Sequence, residues 1–277
     1  MNVSRRTVLL GGVGLGALGA TSVKEAYGYK LTSHQHLLPG LRTPLRAVQL
    51  TDLHYGPFIR AASLNNWVDT TLALRPDVVL ITGDFVDRHL LDSTAPLLQT
   101  LSRLTAPLGV WGVWGNHDYD YFGSEARRLG TPLPVTRETF RTALEGVGIR
   151  ILRNAGTALR EDLYLAGVDD LSRGDTQVQQ ALTQMPTTGA VLLMSHNPDV
   201  LENVPQQVTL TVCGHTHGGQ VRLPFLGPLK SSSQLGFTEG WVFGPAAGYV
   251  SRGLGVTGAP VRLNCPAELV VFNFEPE

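Results

Sequence analysis

The chain has 277 residues, of which 43% are apolar and 16% charged. That is enough for a sizeable hydrophobic core, and too apolar and weakly charged for a disordered chain. A formal net charge of −1 excludes the overall basic field of a nucleic-acid binder, so no nucleic-acid partner is expected and an anionic substrate must be captured locally.

Arg5 and Arg6 stand immediately ahead of an uncharged stretch from Val8 to about Val23, interrupted by Gly11, Gly12, Gly14, Gly16 and Gly19. Such a run is marginal as a membrane-spanning helix but fits the apolar region of an export signal. The paired arginines point to the Tat machinery as a partner. Residues 1–28 are therefore expected to be a Tat signal peptide or an N-terminal anchor, cleaved after Gly28 or near Ser22 if cleaved at all. Residues 29–43 read as a linker and 44–277 as one domain. The expected destination is the periplasm or the outer face of the cytoplasmic membrane, with membrane or wall association.

The domain opens with a short strand, Arg46 to Leu50, running into Thr51-Asp52-Leu53-His54. Leu64, Trp67, Val68 and Leu72 have helical spacing over Ala61 to Leu74, and Pro76 ends that helix. Val78 to Ile81 is a buried-type strand leading into Thr82-Gly83-Asp84. A helix over Ser93 to Leu104 precedes a strand from Gly109 to Trp114, which runs into Gly115-Asn116-His117-Asp118. A helix near Thr136 to Glu145 is followed by short strands at Ile149–Leu152, Gly156–Leu159 and Leu163–Val168. Ala190 to Met194 leads into Ser195-His196, and Val208 to Val212 into Cys213-Gly214-His215-Thr216-His217. The end, from about Gly236 to Phe274, is β-rich. Cys213 and Cys265 are too few for a disulfide framework and read as small buried side chains.

Five apolar strands thus end in metal-capable residues, at the edge where α/β sheets bind ligands. Asp52 and His54, two apart on an extended strand end, project the same way and can serve one ion. Asp84, after a glycine that permits a sharp turn, can bridge two ions. Asp87 holds its loop by hydrogen bonding or caps the next helix. Asn116 offers a neutral oxygen to a second ion. His117 can face substrate instead, and Asp118 would then hydrogen-bond its other ring nitrogen and fix the tautomer. His196 follows a buried strand, and His215 and His217 share one side of an extended segment between glycines. His34, His36 and His89 fall outside these blocks and read as surface residues. So many ionisable groups would be very costly to bury without compensating metal charge.

The order D-x-H, G-D-x-x-D, G-N-H-D, H, G-H-x-H resembles the calcineurin-like metallophosphoesterase superfamily over about Arg46 to His217. The run Gly214 to Pro224, with the twin-arginine start, is similar to the exported YkuE/YaeI-like bacterial subgroup. The resemblance implies an α/β (α+β four-layer) fold, a central β-sandwich flanked by helices. It implies one metal on Asp52, His54, Asp84 and His217, and a second on Asp84, Asn116, His196 and His215. His117, paired with Asp118, would contact the substrate phosphate or protonate the leaving group.

Mixed His, Asp and Asn ligands suit two divalent ions such as Mn, Fe, Zn or Co. Such a pair clamps phosphate and activates water for hydrolysis of a phosphodiester, phosphomonoester or pyrophosphate bond. The export signal directs attention to an envelope substrate, such as a phospholipid or lipid-linked nucleotide sugar. Val221 to Gly244, rich in Phe, Leu, Trp, Pro and Gly, either walls a pocket for an apolar tail or is simply a packed β-rich loop. Arg127 and Arg128 read as a solvated face. A non-catalytic metal-binding scaffold would be expected to lack ligands, and here every block is intact. An amidase- or lactonase-type binuclear hydrolase is disfavoured by the G-N-H-D and G-H-x-H blocks.

Overall fold

The computed structural model describes residues 22–122, 136–244 and 246–277. The twin arginines, most of the uncharged stretch behind them, and Arg127 and Arg128 lie outside the described residues. Two six-stranded mixed sheets carry the architecture. The first has the order β1 (Tyr29–Leu37), β14 (Ala267–Glu275), β2 (Leu45–Leu50), β3 (Val78–Ile81), β4 (Val110–Gly112), β5 (Ile149–Ile151). The second runs β12 (Gly240–Val242), β13 (Gly248–Val250), β9 (Leu210–Cys213), β8 (Ala190–Met194), β7 (Leu163–Gly167), β6 (Ala155–Arg160).

The hydrophobic pattern explains the layering. Ala47, Val78, Leu80, Val270 and Phe272 of the first sheet meet Leu163, Leu165, Leu192, Met194, Leu210 and Val212 of the second in one buried cluster. Val48, Leu50, Val79 and Ile81 point the other way, against helices α1 (Ala61–Ala73) and α2 (Ala95–Leu101) and against Phe140 and Leu144 of α4 (Arg137–Gly146). On the far side of the second sheet, Val191, Leu193 and Cys213 pack on the short helix α5 (Val178–Ala181) and the 3₁₀ turn Pro198–Asn203. Strands buried on both faces read as continuous apolar runs, which is why β3 and β8 carry no polar residue. The fold is a β-sandwich flanked by helices. Both cysteines are free and buried. Among the described residues no helix is long and apolar enough to cross a membrane.

One expectation is corrected. The segment expected to be a linker begins as β1, paired in parallel with the whole length of β14 from Tyr29 opposite Ala267 to Leu37 opposite Glu275. Its inward positions include His34 and His36, which are half-buried and packed, not free on the surface. The His34 ring lies 4.7 Å from Tyr249 and 5.7 Å from Phe272, and His36 stacks on Trp241 at 4.5 Å. Burial holds both imidazoles below their ordinary pKa, so they pack as neutral aromatics. Leu31 and Leu37 meanwhile face outward. This inverted polarity, imidazoles in and leucines out, conceals the strand from a hydrophobicity pattern. His89 is exposed, as expected.

Candidate metal centre

β2, β3 and β4 are parallel neighbours, and β8 and β9 are parallel neighbours in the other sheet. Their C-terminal ends deliver all the expected ligand residues to one place. The loops after β2 and β3 zip together through Asp52 N to Gly83 O (3.1 Å) and His54 N to Asp84 O (3.0 Å). The loops after β8 and β9 join through Gly214 N to His196 O at 3.0 Å. The two sheets are stitched across the site by the His215 N–H, 3.1 Å from each Asp52 carboxylate oxygen.

The ligands do not converge by strand alternation. Asp52 (φ 53°), His54 (φ 45°), Asp84 (φ 53°), His215 (φ 74°) and His217 (φ 51°) all occupy the left-handed region. Each such residue costs roughly 1–3 kcal/mol and is typical of functional sites. Left-handed turns beyond the strand, not an extended backbone, bring each pair inward. Glycines make the necessary room. A Cβ on Gly115 would lie 2.2 Å from Asp84 Oδ1, and one on Gly214 would lie 2.4 Å from Asp52 Oδ2. Gly115→Ala is therefore expected to displace Asp84 and lower metal content and activity together. Elemental analysis beside a diester assay checks this.

Asp84 is the junction. Its Oδ2 lies 3.3 Å from His54 Nε2 and 3.3 Å from His196 Nε2, and its Oδ1 accepts the His117 N–H at 2.8 Å. On one side, His54 Nε2 is 3.0 Å from His217 Nε2, which is 3.3 Å from Asp52 Oδ1. On the other, His196 Nε2 is 3.1 Å from Asn116 Oδ1 and 3.1 Å from His215 Nδ1. Imidazole nitrogens and carboxylate oxygens converge on two centres that share Asp84, with Asp52, His54 and Asp84 at most 2% exposed. Lone pairs facing one another in a buried space are what two cations would satisfy. Asp52, His54 and His217 form one group with metal-binding geometry, and Asp52, Asp84 and His196 form another.

The electrostatics agree. Burial alone would depress the His196 pKa, but Asp84 and Asp52 raise it to about 10. Burial and the neighbouring His196 push His215 down to about 3. Burial raises the Asp52 carboxyl, and repulsion from Asp84 adds to that. Without cations, a proton on His196 compensates the clustered carboxylates. Ion binding must expel it, so apparent Mn²⁺ affinity falls as pH falls.

Outer residues orient the ligands. His196 Nδ1 lies 2.9 Å from Thr82 O, which leaves Nε2 facing the centre. Arg262 is fully buried and was not foreseen from the sequence. It donates to the carbonyls of His217, Arg252, Gly255 and Cys265, clamping the last ligand loop from a glycine-rich segment far along the chain. No local motif signals it.

The structure also corrects the partner of His117. Asp118 accepts from Gly115 N (3.0 Å) and Val86 N (3.2 Å), and so ties the β4 turn to the β3 loop. Its place in the first turn of α3 (Asn116–Phe122) turns it away from the ring. The carboxylate facing His117 Nδ1 is Asp87, at 3.6 Å, which also approaches His54 Nδ1 at 3.5 Å. Those three residues form a further group with metal-binding geometry. At those distances the Asp87 carboxylate is an electrostatic neighbour of both Nδ1 atoms, while the Arg88 backbone N–H donates to His117 Nδ1 at 3.4 Å. The Arg88 guanidinium, next to the G-D-x-x-D motif but overlooked in it, is 2.8 Å from His117 Nε2.

Comparison with known proteins fits this geometry. The calcineurin-like phosphoesterase family profile matches residues 45–219. The metallophosphoesterase YkuE of Bacillus subtilis (strain 168) is 28% identical, covering 99% of this chain and 98% of its own. The phosphodiesterase YaeI of Escherichia coli (strain K12) is 29% identical over 83% of this chain and 82% of its own. The UDP-2,3-diacylglucosamine pyrophosphatase LpxG of Chlamydia muridarum is 27% identical over 65% of this chain and 66% of its own. The family uses two divalent ions, and the buried Asp/His groups that meet at Asp84 fit such a pair. With the profile spanning more than half its length and those donors in place, this chain belongs to the calcineurin-like phosphoesterases and is a metal-dependent phosphoric ester hydrolase.

Proposed function

We propose that the enzyme, exported by the Tat route, hydrolyses a phosphodiester or pyrophosphate bond in an envelope substrate that carries an apolar tail. Asp52, His54, Asp84 and His217 hold one ion; Asp84, Asn116, His196 and His215 hold the other. Two ions, when bound, supply Lewis acidity at the phosphate and a nucleophile at neutral pH. His117, beside the Asp87 carboxylate, stands where it can move a proton to the leaving oxygen, and Arg88 next to it can take phosphate charge.

The observation that carries the substrate reading is a cavity of about 480 Å³ bordered by His217. Arg88 and Lys230 make it cationic, while Val221 and Leu229 line it with apolar surface. That combination suits a phosphate attached to an acyl chain. The pyrophosphatase activity in the name of LpxG, on a diacylated nucleotide sugar, supports the same reading.

Purified protein is expected to hydrolyse a generic diester, to lose that activity in EDTA and to regain it with Mn²⁺. Assays of a monoester, a diester, UDP-2,3-diacylglucosamine and a phospholipid decide the substrate. Turnover of short soluble diesters alone would sink the apolar-tail reading. The export reading rests on Arg5 and Arg6. Changing both to lysine is expected to trap the protein in the cytoplasm, as cell fractionation would show, and unchanged export would rule out the Tat route.

A further inference from the structure

We infer that the hairpin spanning residues 222–228 is a membrane-insertion element that seats the mouth of the active site on a lipid bilayer. Strands β10 (Arg222–Leu223) and β11 (Gly227–Pro228) pair antiparallel beyond the last ligand, His217. Their turn presents Phe225 and Leu226 with 107% and 78% of their surface exposed, and Leu229 follows at 64%. A Phe at φ 66° on a turn tip pays backbone strain that a glycine would avoid, and it gains no packing among the described residues. Two large apolar side chains projecting from one turn into water are unfavourable unless a second phase receives them.

The hairpin is continuous with the site. At its base the Leu229 N–H donates to Val221 O at 3.0 Å, and Val221, Leu229 and Lys230 border the cavity beside His217. Insertion of the tip would bring that opening to the headgroup layer, with Lys230 exposed to anionic lipid.

A bilayer is favoured over a protein partner by where the N-terminal segment meets the body. Arg222 N donates to Leu263 O (2.9 Å), and the adjacent Arg262 N donates to Ser22 O (3.0 Å). Ser22 therefore lies beside the hairpin base, and the uncharged sequence from Val8 leads directly to it. The chain that carries the uncharged sequence thus enters the described body on the side of the hairpin. Leu37, also exposed, is at the opposite end of the first sheet, opposite Glu275.

This inference rests on the apolar-tail reading for its purpose, but its test does not require turnover. Full-length Phe225→Cys protein, labelled with bimane while the native cysteines stay buried, is reconstituted into vesicles of phosphatidylethanolamine and phosphatidylglycerol with brominated acyl chains. Fluorescence at position 225 is expected to be quenched, and that of a Leu37→Cys control is not. Equal fluorescence at both positions on vesicle-bound protein would overturn the inference. A concentration-dependent blue shift at 225 without lipid would assign the hairpin to self-association and overturn it too. Quenching without hydrolysis of any lipid-linked substrate would leave the membrane contact standing and remove the substrate reading.

Discussion

Asp84→Asn is expected to lower kcat/KM on a diester by roughly 10³-fold, about 4 kcal/mol of transition-state stabilisation. The side chain keeps its shape, so the cause is chemical. Oδ2 is the oxygen shared by His54 and His196 at 3.3 Å each, and an amide cannot offer it as an anion to two cations. Elemental analysis should show fewer than two ions per chain. Stability of the metal-free protein should fall as well. Burial alone would raise the Asp84 carboxyl, but the neighbouring imidazoles, His196 above all, hold it well below the usual carboxylate range, so its charge stabilises the fold above about pH 4. An amide leaves the His196 proton without its main counter-charge, so in EDTA the variant should melt below the wild-type temperature near neutral pH. A fully active Asp84→Asn enzyme with two bound ions would refute the shared-carboxylate arrangement.

The donors of this centre were legible because each follows an apolar run long enough to read as a strand, and strand ends gather ligands. Their convergence was legible only as an outcome. Asp52 and His54 look like neighbours on an extended strand, yet β2 stops at Leu50 and left-handed turns do the work. Nothing in a D-x-H tripeptide encodes that; it comes from pairing of the β2 and β3 loops. β1 was hidden for a different reason. Its inward row is imidazole, which ordinary patterning counts as polar, although His36 stacks on Trp241 and His34 meets the same ring edge-on, as aromatics do. Arg262 was hidden by distance, since its value lies in carbonyls brought to it by loops separated in sequence. The residues that do chemistry are therefore clearer in the chain than those that hold them.

The same distinction decides between two neighbouring carboxylates, and it can be measured. Asp87 faces His117 Nδ1 at 3.6 Å, whereas both Asp118 oxygens accept backbone N–H groups. Asp87→Asn should therefore cost about 10–100-fold in kcat, the usual range for a group that orients an active imidazole or ligand. His117→Ala should cost about 10²–10⁴-fold, with the larger loss on substrates whose leaving oxygen is a poor anion. A nitrophenolate leaving group needs little protonation and should show the smaller loss. The Asp87→Asn defect should shrink in the His117→Ala background, because the two act as one unit. Asp118→Asn predicts a different signature. Burial and the Asp84 charge lift this carboxyl to about 7, so near neutrality it is already close to half protonated. The folded pKa lies above its unfolded value, so ionised Asp118 is the destabilised state. Its cost is absent below about pH 4, grows from there to about pH 7 and is constant above it. Asp118→Asn should then leave kcat within a few-fold of wild type and flatten the fall in melting temperature between about pH 4 and 7. The opposite pattern, a large kcat loss at Asp118 and none at Asp87, would restore the pairing expected from adjacency in sequence.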